Sequence, residues 1–295
     1  MKKVILLLLS SFLLSGGGRA LEADFGKGVS PHEVFANAPD LSVEDGKIRL
    51  PENLTSHPIP VEEGRKYLLQ IMAEVAGPFV VEENERSHII ILRDPLYRRT
   101  AAYSVAFYDA ADQEISALGR DRIAGFILTR QPGLYTNVFY APPEAATMRV
   151  RFKANGRDAR LASIRLVEET AEGTINPNPD FRYGELSYCG WRPQRDGRLY
   201  TRPDGKVVFN TGYLGGSSMF PLAGGKTYRF FARGSGSALN AIYYDHDGKQ
   251  LVQRFLLRPA PQGVSVEATP PPGTAYCRIT VNGVAFLEEF AVKAQ

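Results

Sequence analysis

A chain of 295 residues, 44% apolar and 23% charged, is long enough to bury two sizeable cores and too evenly mixed to be fibrous or disordered. Its formal net charge of +3 comes from the first stretch: setting aside residues 1–20 lowers Lys plus Arg from 35 to 32, against 32 acids. A neutral remainder with dispersed arginines argues against nucleic acid as a partner.

Met1-Lys2-Lys3 is a basic start, Val4 to Leu14 is apolar apart from Ser10 and Ser11, and Gly16-Gly17-Gly18-Arg19-Ala20 supplies small residues. This is the pattern of a secretory signal peptide over residues 1–20, cleaved after Ala20 or Ala23, and it is too short for a stable spanning helix. No Cys lies near for lipid anchoring. The expectation is a secreted or periplasmic protein, without membrane insertion after cleavage.

Residues 24–57 read as a lead-in with a turn at Asp45-Gly46-Lys47 and a short strand at Ile48 to Leu50. Then come anchors that occur twice in the same order. Pro60 to Leu69, with Gly64 and Tyr67, matches Pro221 to Phe230, with Gly225 and Tyr228. In the second copy Tyr228, Phe230 and Ala232 share one strand face, while Thr227, Arg229 and Arg233 share the other. The run Ser104 to Ile115 matches Asn240 to Leu251, each an apolar aromatic strand, a polar turn and a second short strand, which predicts a pair of β-hairpins. Ala141 to Val150 matches Pro271 to Ile279, a Pro-rich turn leading into a strand. Closing strands are predicted at Ala162 to Val167 and Phe286 to Val292. Residues 77–99 have no second copy; Glu82 to Arg86 and Arg93 to Arg99 read as loops and His88 to Leu92 as an inserted strand.

Glu168 to Pro179 is polar, with two Asn-Pro steps, and marks a boundary. The expected organisation is residues 21–168 as one module, 169–177 as a linker and 178–295 as a second module. Many short strands, each with one apolar face and no long helical period, require sheets packed on sheets. The fold class is therefore all-β: two tandem antiparallel β-sandwich (jelly-roll) domains after a signal peptide. The two halves carry opposite charge, with 18 basic and 23 acidic residues over 21–175 and 14 and 9 over 176–295.

The anchors of the second half are Asn178-Pro179-Asp180-Phe181, Trp191, Gly225 to Tyr228, Tyr244 to Gly248, Pro271 to Arg278 and Glu288-Glu289. Their order resembles the carbohydrate-binding-module-like jelly rolls of the galactose-binding-like group, found in secreted bacterial glycan-handling proteins. The first half lacks the Trp and the early Asn-Phe pattern. The resemblance implies a non-catalytic carbohydrate-binding protein whose partner is a glycan or polysaccharide and which needs no cofactor. Such modules often hold a structural calcium, but Arg182 follows Phe181 where a carboxylate is wanted, and Glu288 can pair with an arginine instead. The alternative is a structural or protein-interaction role at the cell surface or in the periplasm, with a protein partner.

Sugars offer apolar CH faces to aromatic rings and hydroxyls to polar groups. The densest zone for that chemistry is Tyr183 to Tyr213. The candidate ligand-binding residues there are Tyr188, Trp191, Arg198, Tyr200, Asn210 and Tyr213. Trp191 has a competing reading as core, because it shares strand parity with Ser187 and Cys189. Catalytic and metal-binding residues are not indicated. His32, His57, His88 and His246 hold no metal spacing to one another, and Asp245-His246-Asp247 reads as a solvated turn. Gly225-Lys226-Thr227 lacks the first glycine of a phosphate loop and leads into a strand. Cys189 and Cys277 read either as a disulfide or as two buried thiols.

Overall fold

The computed structural model describes residues 21–38, 41–76, 100–118, 123–169, 173–186, 189–192 and 197–295. The leader, the loops at 82–86 and 93–99, the inserted strand at His88 to Leu92, residues 170–172 of the expected linker, and Tyr188 lie outside these residues. The described chain is almost entirely antiparallel strand, with single helical turns at Phe25–Lys27 and Pro31–Val34 in the lead-in.

Four sheets form, two from each half of the chain. Sheet 1 runs Gly133–Tyr140, Lys66–Val75, Ala159–Glu168, Lys47–Arg49, Val43–Glu44, with Leu21–Asp24 also on Ala159–Glu168. Sheet 2 centres on Thr147–Lys153 and Ala102–Tyr108, flanked by Leu54–Thr55, Ile59–Pro60, Glu114–Ile115 and Ile123–Phe126. Sheet 3 centres on Tyr276–Val281 and Leu239–Tyr244, flanked by Trp191–Arg192, Gly216–Ser217, Phe220–Pro221 and Gln250–Leu257. Sheet 4 runs Val264–Ala268, Tyr228–Gly236, Ala285–Ala294, Val207–Asn210, Arg198–Thr201. Successive strands hop between facing sheets, Tyr228–Gly236 in sheet 4 and Leu239–Tyr244 in sheet 3, which is jelly-roll connectivity.

Burial of alternate residues drives the pairing of sheets. Leu69, Ile71 and Ala73 of sheet 1 meet Val105, Phe107 and Val150 of sheet 2 in one core. Phe230, Leu287 and Phe290 of sheet 4 meet Ala241, Tyr243 and Ile279 of sheet 3 in another. Away from the closing strands each of these residues sits where its strand parity sends it, and each core is a contiguous set of apolar contacts.

The two sandwiches repeat one another down to single hydrogen bonds. The Glu62 N–H donates to Tyr67 Oη and the Ala223 N–H to Tyr228 Oη, both at 2.9 Å. The Val150 N–H donates to buried Ser56 Oγ at 3.0 Å, and the Ile279 N–H to buried Ser217 Oγ at 2.9 Å. Asp109 Oδ1 accepts from the Gln113 N–H at 2.9 Å, and Asp245 Oδ1 from the Lys249 N–H at 2.8 Å. These side chains close the hairpin turns, whose left-handed positions are Asp112 at φ 60° and Gly248 at φ 75°. The closing strands share a bulge as well. Tyr67 pairs with Glu168 and Tyr228 with Ala294, and further along both ladders one residue is skipped, Ala162 in the first and Glu288 in the second. The inward residues are therefore Ala159, Leu161, Ile164 and Leu166 in one and Ala285, Leu287, Phe290 and Val292 in the other.

The halves are also docked. Thr136 and Val138 point away from core one yet are buried. Leu186 packs against core one from the second half, and the Cys189 thiol donates to Thr136 O at 3.0 Å. In return Tyr140 packs against core two, and its hydroxyl donates to Ile175 O. Asn176 is fully buried, donating to Phe290 O at 2.6 Å and accepting from the Val292 N–H at 2.7 Å. A smaller cluster, Leu118, Met219, Tyr244 and Tyr276, fills the remaining junction.

Cys189 and Cys277 are free and buried, one at the junction and one in core two. Of the two readings open in the sequence, the structure gives buried thiols. Burial pushes both thiols up, away from the reactive thiolate form. Ellman titration should find both unreactive in native protein and both reactive in denaturant. Ser217→Ala should leave the Ile279 N–H unsatisfied and cost about 1–3 kcal/mol in urea unfolding, with no change of fold by circular dichroism.

Candidate functional site

The predicted residues part company once the second sandwich is seen in register. Trp191 is 1% exposed. Its ring lies against Phe181, Phe209 and Phe290 at centroid distances of 5.4, 5.3 and 5.6 Å, and its Nε1–H donates to Pro177 O at 3.2 Å. A ring enclosed on both faces and with its one donor satisfied offers nothing to a ligand, so the core reading of Trp191 replaces the binding one. Tyr188 lies outside the described residues.

Arg198, Tyr200 and Asn210 come together on the outer face of sheet 4. Leu199 and Phe209 turn inward, so their neighbours turn outward. Arg198 pairs with Asn210, Asn210 with Phe286, and Phe286 with Ser235, a row across four strands. Tyr200, paired with Val208, forms the next row, and the Arg198 guanidinium lies 5.8 Å from the Tyr200 ring centroid. Asn210 Oδ1 accepts from the Gly212 N–H at 3.0 Å and so shapes the turn that follows.

That turn carries Tyr213, which is 47% exposed, and Leu214. The Thr211 N–H donates to Ala285 O at 2.9 Å, and the Ala285 N–H donates to Thr211 Oγ1 at 3.0 Å. These bonds hold the turn beside Val284 and Phe286. Tyr213, Leu214, Val284 and Phe286 are all exposed large apolar residues and rim one end of the face. Exposed apolar groups gathered in this way, rather than scattered, mark interaction surfaces. Phe286 was missed in the sequence because it was read only as the start of the closing strand. The outward parity between Ala285 and Leu287 was the available signal.

Deeper on the face, the bulge aims Glu288 at two arginines. Its carboxylate lies 2.7 Å from Arg202 Nη1 and 3.6 Å from Arg233 Nε, while Glu289 lies 2.9 Å from Arg233 Nη2. Arg202 also holds Asp204 at 3.0 Å. The Lys206 N–H, and then Arg202, hold the Asp204 carboxyl below the usual carboxylate range. The acids that a calcium at the last strand would need thus face guanidinium groups. Asp180, beside Phe181, is likewise taken by Arg182 at 2.8 Å. Among the described residues, no three His, Cys, Asp or Glu side chains gather as a metal site.

The first sandwich docks through the other edge of its sheet. Its edge strand Gly133–Tyr140 is the one that carries Leu186 and Cys189 of the second half. On sheet 1 the counterparts of Asn210 and Phe286 are Arg49 and Arg160, which pair in the same way, and Arg49 is exposed.

No family model matches this chain, and no curated protein matches it. Among solved structures it is similar to the N-terminal CBM22-1-CBM22-2 tandem domain from Paenibacillus barcinonensis Xyn10C, at 9% identity over 96% of this chain and 99% of that one, TM-score 0.34. It is similar to a chain of Sulfolobus Turreted Icosahedral Virus, at 10% identity over 93% and 65%, TM-score 0.37. It is also similar to allantoicase from Saccharomyces cerevisiae, at 11% identity over 95% and 90%, TM-score 0.27. At these scores the architecture rests on the sheets themselves, and the neighbours differ in what they do. No helix among the described residues is long and apolar enough to cross a membrane.

Because Trp191 is the protein's single tryptophan, its fluorescence reports on core two alone. Emission should be blue-shifted in native protein, and Trp191→Ala should lower stability by about 3–5 kcal/mol, as measured by chemical denaturation.

Proposed function

We propose that this is an exported, non-catalytic carbohydrate-binding protein built of two modules, 21–168 and 178–295, joined by residues 169–177, and that it holds a glycan on the outer face of sheet 4. The observation that carries the reading is the row Arg198, Asn210 and Phe286 beside Tyr200, continued by exposed Tyr213. Rings on an open sheet face stack against the CH faces of sugars, while guanidinium and amide groups meet hydroxyls. The resemblance of the second-half anchors to carbohydrate-binding jelly rolls agrees with it, and the leader pattern in residues 1–20 agrees with export to where such ligands are found.

Binding without cleavage is favoured by the state of the acids on this face. Glycoside hydrolysis needs one carboxyl to donate a proton and another to act as base or nucleophile. Glu288, Glu289 and Asp204 each lie in an ion pair with an arginine, so their oxygens are already engaged. A second reading, protein interaction, has one observation of its own: Phe255 is 68% exposed on the edge strand Gln250–Leu257.

Affinity electrophoresis on a panel of soluble polysaccharides should show retardation of the mature protein by at least one member. Tyr200→Ala and Phe286→Ala should each weaken it about tenfold, the equivalent of about 1.4 kcal/mol. No retardation across the panel with folded protein, or retardation indifferent to both substitutions, would overturn the assignment to this face.

A further inference from the structure

Between the two halves lies a cavity of about 330 Å³, at the small end of the range of about 300–1,000 Å³ for small-ligand sites, which favour such junctions. The first half lines it with Ile115 to Leu118 and the turn Pro142 to Glu144, and the second with His246 to Gly248 and Tyr276. It is a different place from the sheet 4 face.

The internal repeat makes the cavity informative. Tyr108 pairs with Thr147 as Tyr244 pairs with Tyr276, so Thr147 and Tyr276 are equivalent positions. In the turns that follow Tyr108 and Tyr244, Ala110 and Ala111 correspond to His246 and Asp247. The first copy shows that two alanines and a threonine satisfy the fold at these positions. The second copy instead places an imidazole, a carboxylate and a phenol there, and all three line the cavity. His246 rests against the Tyr276 ring, with centroids 6.5 Å apart. The hairpin closes through Asp245, not Asp247, so the Asp247 side chain is not needed for the turn.

The lining also restricts the chemistry. Its floor is apolar and aromatic, with Leu118 and Tyr276 buried, and its rim is polar, with Ser116, Glu144, His246 and Asp247. Among the described residues its lining holds no lysine or arginine, and the Asp247 and Glu144 carboxylates have no side-chain partner. Burial first, and then the Glu63 carboxylate, push the Tyr276 hydroxyl up, so the phenol stays neutral. Carboxylates and an imidazole without a cation accept from hydroxyls and repel anions. A ring face supplies the apolar contact.

We propose that this cleft is a second binding site, which takes a neutral sugar unit: its CH face against Tyr276 and its hydroxyls donating to Asp247 and Glu144, with His246 at the rim. The site is independent of the sheet 4 face and is tested separately from it.

Isothermal titration of the mature full chain with methyl glucoside, methyl galactoside, methyl mannoside, cellobiose and xylobiose should show saturable binding of at least one. Glucuronate should bind at least tenfold more weakly. The paired change His246→Ala with Asp247→Ala copies the Ala110-Ala111 turn that this fold already accommodates, so it should fold and weaken binding at least tenfold. Tyr276→Thr, copying Thr147, should do the same. The proposal is overturned if no neutral sugar binds, if glucuronate is preferred, or if the alanine pair binds as well as the parent. Loss of small-sugar binding in Tyr200→Ala alone would overturn it too and move that binding to the sheet face.

Discussion

The closing strand of each sandwich must keep its apolar side chains inside while its ladder skips a residue. In strict alternation Leu287 and Phe290, three apart, would face opposite ways, and so would Leu161 and Ile164. The bulge at Glu288 and at Ala162 absorbs the extra residue and returns the strand to phase. Everything else in a sandwich is referred to that strand. Tyr228–Gly236 and Val207–Asn210 take their register from Ala285–Ala294, and Lys66–Val75 and Lys47–Arg49 take theirs from Ala159–Glu168. A shift of one residue would turn either core out to water.

The bulge also separates the two halves in purpose. In the first it exposes Ala162, a residue with nothing to offer. In the second it turns out Glu288, part-buried, which gathers Arg202 and Arg233 in the middle of the face that also carries Arg198 and Asn210. The other difference is coverage. Leu186 and Cys189 meet sheet 1 at its edge strand Gly133–Tyr140, whereas Phe286 of sheet 4 is exposed.

The repeat was legible in the sequence because its anchors are tied to backbone geometry. A tyrosine at Tyr67 or Tyr228 closes a corner, an aspartate at Asp109 or Asp245 closes a hairpin, and alternation marks the inner face. The bulge was legible too, in the shared spacing of Ala159, Leu161, Ile164 and Leu166 against Ala285, Leu287, Phe290 and Val292. Departure from period two is its signal. Trp191 shows the limit of composition: an aromatic among arginines reads equally as a stacking platform or as core, and only its neighbours Phe181, Phe209 and Phe290, far apart in sequence, decide. The covering of Thr136 and Val138 by Leu186 and Cys189 depends on how two folded bodies meet, which no local pattern encodes.

The exchange of Tyr140 and Leu186 across the junction has a consequence for dissection. Each half lends the other an apolar residue and buries backbone that its own sheets leave bare. Severed near Gly173, either fragment would carry a greasy scar where its neighbour had been: Leu186 would lose its place against one core and Tyr140 against the other.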